Sequence, residues 1–333
     1  MAEITAIEVR AYLKKIEGRT IDLSSLRTEF QIDRGTKSWD AIRNILYQLA
    51  EGDNRVVKPS GKKDGTYKVI KRVERVDVFG VERERKAPIE LIFPRDQDTG
   101  MELPFAENIV LRQGDLVLIP GLSNYGKTTL ALNFIAENLK QHPVLMGNEY
   151  TDENEQPKQR FLNRLDAMDW ADWTNGSGKD NFELLPVHED FEDNIIKDRI
   201  NVVDWIDIET DFWDIKNISK RLKLAVGDGL VIAVIQKNEG SDTGVGGGMT
   251  KYYTDLEILV DRHTDHESRL TIGKVKESKE PVTGRSWAFG IRKQGTQLVH
   301  VREVKKCPTC HGFKYIKGKG ACDTCYAVGW LDK

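Results

Sequence analysis

At 333 residues the chain has room for two or three domains. Hydrophobic residues make up 39% and charged residues 31%, and a net charge of −3 excludes a global basic field, so any nucleic-acid surface has to be local. No apolar run approaches the ~18 residues of a membrane span, and the start M-A-E-I-T lacks the basic-then-apolar order of a secretory signal. Cytoplasmic residence with no membrane partner is the expectation.

Residues 1–75 read as a small helical domain with a hairpin. Val9, Tyr12, Leu13 and Ile16 recur at helical spacing. Asp22 caps a second helix carrying Leu23, Leu26 and Phe30, and Ser38 caps a third with Ile42, Ile45, Leu46 and Leu49 on one face. Two short β-like runs, 55–58 and 66–69, flank the turn-forming P-S-G-K-K-D-G. Three helices and a two-stranded wing resemble a winged helix-turn-helix. Lys37, Arg43, Lys58, Lys62, Lys63 and Lys68 could line a phosphate-facing surface, or stand on the solvated face of a protein-docking module. Residues 76–103 read as a linker, with the alternating charges of V-E-R-E-R-K-A-P as a tether or an arm lying on a neighbour.

The organising stretch lies at 115–150. An apolar run, Leu116 to Ile119, reads as a buried strand, and a helix with Leu130, Leu132, Phe134, Ile135 and Leu139 follows a short loop. Between them Gly121, Leu122, Ser123, Asn124, Tyr125, Gly126, Lys127 and Thr128 fit G-x-x-x-x-G-K-[ST] in full, with Thr129 next. The glycines let backbone N–H groups close around phosphate oxygens, and the helix N-terminus adds partial positive charge. Lys127 would reach the β- and γ-phosphates of ATP, and the Thr128 hydroxyl would hold Mg²⁺. The strand before and the helix after supply the context this motif requires.

A second apolar run, Pro143 to Met146, ends at Glu149. Thr151 to Trp170 is helical in pattern, 171–180 is a loop, 184–187 a strand, and 199–207 another strand that delivers Asp204. A helix over 215–226 precedes the very apolar Leu230 to Ile235, which ends in Gln236. A Gly-rich loop occupies 240–248, and strand-like runs recur at 256–260, 270–275, 285–291 and 298–301. Alternating strands and helices giving way to successive strands predict an α/β core over 104–304, a mostly parallel sheet extended by antiparallel strands.

This order of motifs resembles the RecA-type P-loop ATPase core of the DnaB-like ring-shaped helicases across most of residues 100–300. The resemblance implies a general base at Glu149, a Mg²⁺-organising acid at Asp204 (with Asp207 the rival in a stretch that also holds Glu209, Asp211 and Asp214), and a γ-phosphate sensor at Gln236. It implies that E-G-S-D-T-G-V-G-G-G-M-T-K grips single-stranded DNA, with Lys237 and Lys251 near phosphates. It also sets Lys274 and Lys276 against the family's K-x-R segment, which reaches an adjacent subunit's γ-phosphate. Lys276 departs from the family's arginine, whose planar fork lysine lacks, and Arg285 is the alternative finger. A shared site implies a homo-oligomer, in this family a hexamer.

The last stretch, 305–333, holds all four cysteines: C-P-T-C, eleven residues, then C-D-T-C. Cys307, Cys310, Cys322 and Cys325 at this spacing predict a tetrahedral Zn²⁺ site in a zinc ribbon, with His311 a bystander. Lys314, Lys317 and Lys319 interleave with Phe313 and Tyr315, a pattern suited to nucleic acid or to a docking partner. Segment 268–333 carries 14 Lys/Arg against 5 Asp/Glu, so this end is the most basic surface expected. The expected function is an ATP-dependent motor on single-stranded DNA, acting in replication or repair. The other class is an ATP-controlled DNA-binding assembly protein, a loader or regulator whose partners meet the N-terminal domain or the ribbon.

Overall fold

Three short side chains start the first three helices. In the computed structural model, which describes residues 4–52, 54–61, 65–73, 87–147, 149–207 and 214–333, Thr5 and Glu8 form a reciprocal capping box on α1 (Ala6–Lys15). Strand β1 (Thr20–Asp22) runs into α2 (Leu23–Glu29), where the Asp22 carboxylate accepts from the Ser25 N–H at 2.7 Å. Helix α3 (Lys37–Ala50) is capped by Thr36, whose hydroxyl accepts from the Trp39 N–H, and not by Ser38: the helix begins one residue before that serine. Strands β2 (Val57–Pro59) and β3 (Thr66–Val69) close a three-stranded antiparallel sheet in the order β1-β3-β2. Strand β1 escapes sequence reading because three residues are too few to show an alternation. Val9, Leu13, Leu26, Ile42, Leu46, Val57 and Val69 form the core of this unit, Met1–Glu84. Lys62, Lys63, residues 81–86, Glu209 and Asp211 lie outside the described residues.

The second unit, Arg85–Lys333, is built on one sheet. Its parallel half contains β4 (Leu116–Gly121), β5 (Val144–Met146), β6 (Glu183–Leu185), β7 (Ile200–Ile206), β8 (Leu230–Gln236) and β9 (Leu256–Arg262). The crossovers carry α4 (Lys127–Glu137), α5 (Gln159–Ala167), α6 (Phe191–Asn194) and α7 (Asp214–Ala225). Strands β10 (Glu267–Val275), β11 (Ser286–Arg292) and β12 (Gln297–Lys306) then add antiparallel to β9. A two-residue hairpin of β13 (Tyr315–Ile316) and β14 (Gly320–Ala321) precedes β15 (Trp330–Asp332), which pairs with β12 at the far edge. The full order is β15-β12-β11-β10-β9-β4-β8-β7-β5-β6. This is the mixed α/β class expected from the sequence, a mostly parallel sheet with an antiparallel extension.

Strand β4 sits between β8 and β9 and every one of its residues is buried, which is why it reads as an unbroken apolar run rather than an alternation. One apolar layer packs α4 against the sheet through Leu130, Phe134 and Ile135; the opposite layer holds Ile215 and Leu222 of α7. Two expectations are corrected. The stretch read as linker through 103 enters the first layer, with Phe93 and Leu103 buried and Phe93 against Phe105 and Phe134. The helix expected over 151–170 is confined to α5, because Thr151 bridges Pro157 in a turn that delays its start.

Candidate nucleotide site

The strand ends decide the site. In a parallel sheet the carboxyl ends of neighbouring strands emerge along one edge, so β4, β8, β7 and β5 present the residues after them to a common cleft. That cleft, about 560 Å³, is lined by Ser123, Asn124, Gly126, Lys127, Thr128 and Thr129 from the loop and the start of α4. Glu149 follows β5, Asp204 lies within β7, and Gln236 ends β8; all three line the same cleft.

Glycine is required at both ends of the loop. A Cβ at Gly121 would lie 2.7 Å from Lys127 Cγ and 2.9 Å from Val260 Cβ. Gly126 has φ +98, and a Cβ there would meet Ile291 Cδ1 at 2.7 Å. A third glycine goes unread in the sequence. A Cβ at Gly147 would lie 2.1 Å from the Asp204 carbonyl oxygen, so only glycine lets the chain leave β5 this close to β7 on its way to Glu149.

The Lys127 ammonium donates to the Leu122 carbonyl at 3.0 Å and to Gln236 Oε1 at 3.0 Å, while Gln236 Nε2 donates to Ser123 Oγ at 3.1 Å. Loop, lysine and glutamine thus form one connected network. Burial lowers the Lys127 pKa, and the carboxylates of Asp204 and Glu149 oppose that shift. Asp204 is 2% exposed. Its carboxyl pKa is raised by burial, countered by the hydroxyls of Tyr150 and Thr128. Tyr150, buried and donating to Asp204 Oδ2, is itself pushed up, first by burial and then by that carboxylate.

Asp204 Oδ1 is buried without a hydrogen-bond partner, on the edge where Thr128 lies. An orphaned carboxylate oxygen beside a hydroxyl is the donor set of a hard divalent cation, so these residues fit Mg²⁺. The rival Asp207 is exposed and does not line the cleft. Glu149 is exposed at the cleft, so its carboxylate can meet water.

Sequence reading misses Arg160 and Arg164, which line the cleft from α5. They stand four residues apart, so both guanidinium groups share one helix face. The available signal is a pair of arginines one turn apart on a helix whose apolar face points elsewhere.

Lys274 and Lys276 are not in this cleft. Lys274 donates to the carbonyls of Lys251 and Thr254 at 2.6 and 2.7 Å, and Lys276 pairs with Asp255 at 2.9 Å. The Asp255 N–H donates to the Leu116 carbonyl, so both lysines stand at the start of β4, opposite to Gly121. Arg285 is held by both carboxylate oxygens of Glu303, at 2.9 and 3.0 Å. Lys237, expected near phosphates, is 3% exposed and paired with Asp261; it sits inside the fold just after β8 ends, where its N–H donates to the Gly121 carbonyl. Lys251 is half-exposed, 3.5 Å from Glu257.

The cysteines converge independently. All four Sγ atoms lie within 4.8 Å of one another, with Cys307 to Cys322 at 3.9 Å and Cys310 to Cys325 at 3.6 Å. A tetrahedron with Zn–S bonds of ~2.3 Å separates its sulfurs by ~3.8 Å, so the donor set fits zinc. Among the described residues this is the one cluster of three or more His, Cys, Asp or Glu side chains close enough together to share a metal ion, and His311 is not part of it.

No family profile matches the chain, and no curated protein matches it. Among solved structures it is similar to the crystal structure of the RadB recombinase, with 15% identity and a TM-score of 0.41 over 57% of this chain and 92% of that one. It is also similar to a second solved structure, an ATPase domain, with 15% identity and a TM-score of 0.41 over 57% of this chain and 85% of that one.

Proposed function

We propose that the chain is an ATPase of the DnaB-like kind that works as an oligomeric ring, a hexamer, on single-stranded DNA, with a winged-helix-like N-terminal domain and a C-terminal zinc ribbon as docking modules. The observation that supports it best is the convergence of Lys127, Thr128, Glu149, Asp204 and Gln236 on one cleft with a glycine-built loop. In this reading the loop N–H groups and Lys127 hold the phosphates, and Glu149 orients a water in line with the γ-phosphate. Thr128 and Asp204 would hold Mg²⁺, which would supply charge neutralisation at the phosphate oxygens. Gln236, bonded to Lys127, senses whether the γ-phosphate is present. Measuring ATP turnover with and without single-stranded DNA tests this. Strong stimulation by DNA, lost by about 100-fold or more in Glu149→Gln, is the expected result; slow turnover indifferent to DNA and to that substitution refutes it.

One observation favours the assembly-protein reading. Lys276 and Arg285 are each engaged by a carboxylate of their own chain. Reaching a neighbour's phosphate requires breaking such a pair, which suits slow hydrolysis tied to assembly. Mixing Lys276→Ala with Glu149→Gln chains separates the two. Partial recovery of turnover at intermediate ratios is expected if sites are shared, and none at any ratio removes the finger.

A further inference from the structure

The chain is acidic overall, yet residues 54–72 hold seven Lys/Arg against one Asp. Five of these cations, Arg55, Lys58, Lys68, Lys71 and Arg72, line one groove of about 480 Å³ in the first unit, together with Gly18. All five are exposed, and none pairs with a carboxylate among the described residues. The register explains their convergence. Val57 pairs with Val69 and faces the core, so Lys58 and Lys68, also directly opposite one another, share the outer face. Like charges placed opposite on neighbouring strands weaken a sheet, and an anion lying between them reverses the sign of that term. The exposed face of α3 is different: Asp40 stands between Lys37 and Arg43 there, and Glu51 follows the end of the helix. The concentrated positive potential is on the strands and the segment after them.

We propose that this groove binds the phosphate backbone of a nucleic acid, without reading sequence, and that the strand face rather than α3 is the contact surface. Arginine and lysine with no interleaved acid and no exposed aromatic in the groove suit a phosphate row rather than an apolar protein anchor. The proposal rests on the nucleic-acid side of the function above but not on its nucleotide chemistry, so it is tested without ATP.

The experiment is fluorescence anisotropy of the full zinc-loaded chain with labelled duplex and single-stranded DNA, from about 50 to about 200 mM salt. For the Lys58→Ala/Lys68→Ala/Lys71→Ala variant the slope of log affinity against log salt should flatten by about 2.7 with duplex or about 2.1 with single strands. The triple arginine variant should keep the original slope. An unchanged slope in the alanine variant, or a change confined to binding of polyglutamate, overturns the proposal. Circular dichroism melting checks the fold; should the triple variant not fold, each single variant reads out a change of about 0.9 or about 0.7 by itself.

Discussion

Lys127→Ala is expected to cut ATP turnover by at least about 100-fold, the cost of deleting one charged donor at a site of developing negative charge. The lysine is doubly placed. Its ammonium lies between the Leu122 carbonyl and Gln236 Oε1, so removal would delete the proposed phosphate contact and unhook the glutamine together. The fold should not suffer, because burial already disfavours the charge at this position. Unaltered melting with lost turnover is therefore the expected pair of results. Lys127→Arg should fare little better, since a planar guanidinium cannot take the place of a compact ammonium whose stem, at Cγ and Cδ, packs over Gly121. Turnover within a few-fold of wild type in Lys127→Ala would mean that the loop is only a turn.

Metal removal is the other large expected effect. Chelation should release about one zinc per chain and unfold the cysteine module, because four thiolates bound to zinc contribute about 10–16 kcal/mol, as much as a whole small domain's stability. The damage should reach the main sheet at one place. Strand β15 pairs with β12 through Val304 to Asp332, Lys305 to Leu331 and Lys306 to Trp330, and it is held there by a chain that has just passed through the cysteines. Limited proteolysis of the chelated protein should cut within 307–333 and spare the cleft around Lys127. An unchanged digestion pattern in metal-free protein, or in Cys310→Ser/Cys325→Ser, would remove zinc from the account.

What can be read from the sequence is local or fixed by strand ends. The spacing of Gly121, Gly126, Lys127 and Thr128 is a contiguous pattern, and Glu149, Asp204 and Gln236 each follow or close an apolar run. In a parallel sheet that position alone brings them to one edge. What cannot be read depends on partners distant in sequence. Arg285 reads as a free finger, but Glu303, from the neighbouring strand, holds its guanidinium with both carboxylate oxygens. Lys237 reads as a phosphate contact, but Asp261 lies beside it. Gly147 carries no signature by itself; its need arises from the Asp204 carbonyl, on a strand that begins more than fifty residues later. Phe93 ends the short apolar run I-E-L-I-F that follows a highly charged segment, and only the layer beneath it shows that this run is buried rather than part of a tether.

The central place of β4 has a consequence for how the chain is made. Its neighbours are β8, where Leu116 meets Val231, and β9, where Val117 meets Leu256. Both partners leave the ribosome more than a hundred residues after it. At about 5–20 residues per second the strand waits roughly 6 to 30 s, apolar on both faces and with both edges unpaired. Loop closure over such distances slows folding, and an exposed strand of this kind is a template for aggregation. Chains broken off before 230 should therefore be insoluble rather than merely inactive, and the phosphate loop should acquire its shape late in synthesis, after the strands that flank it.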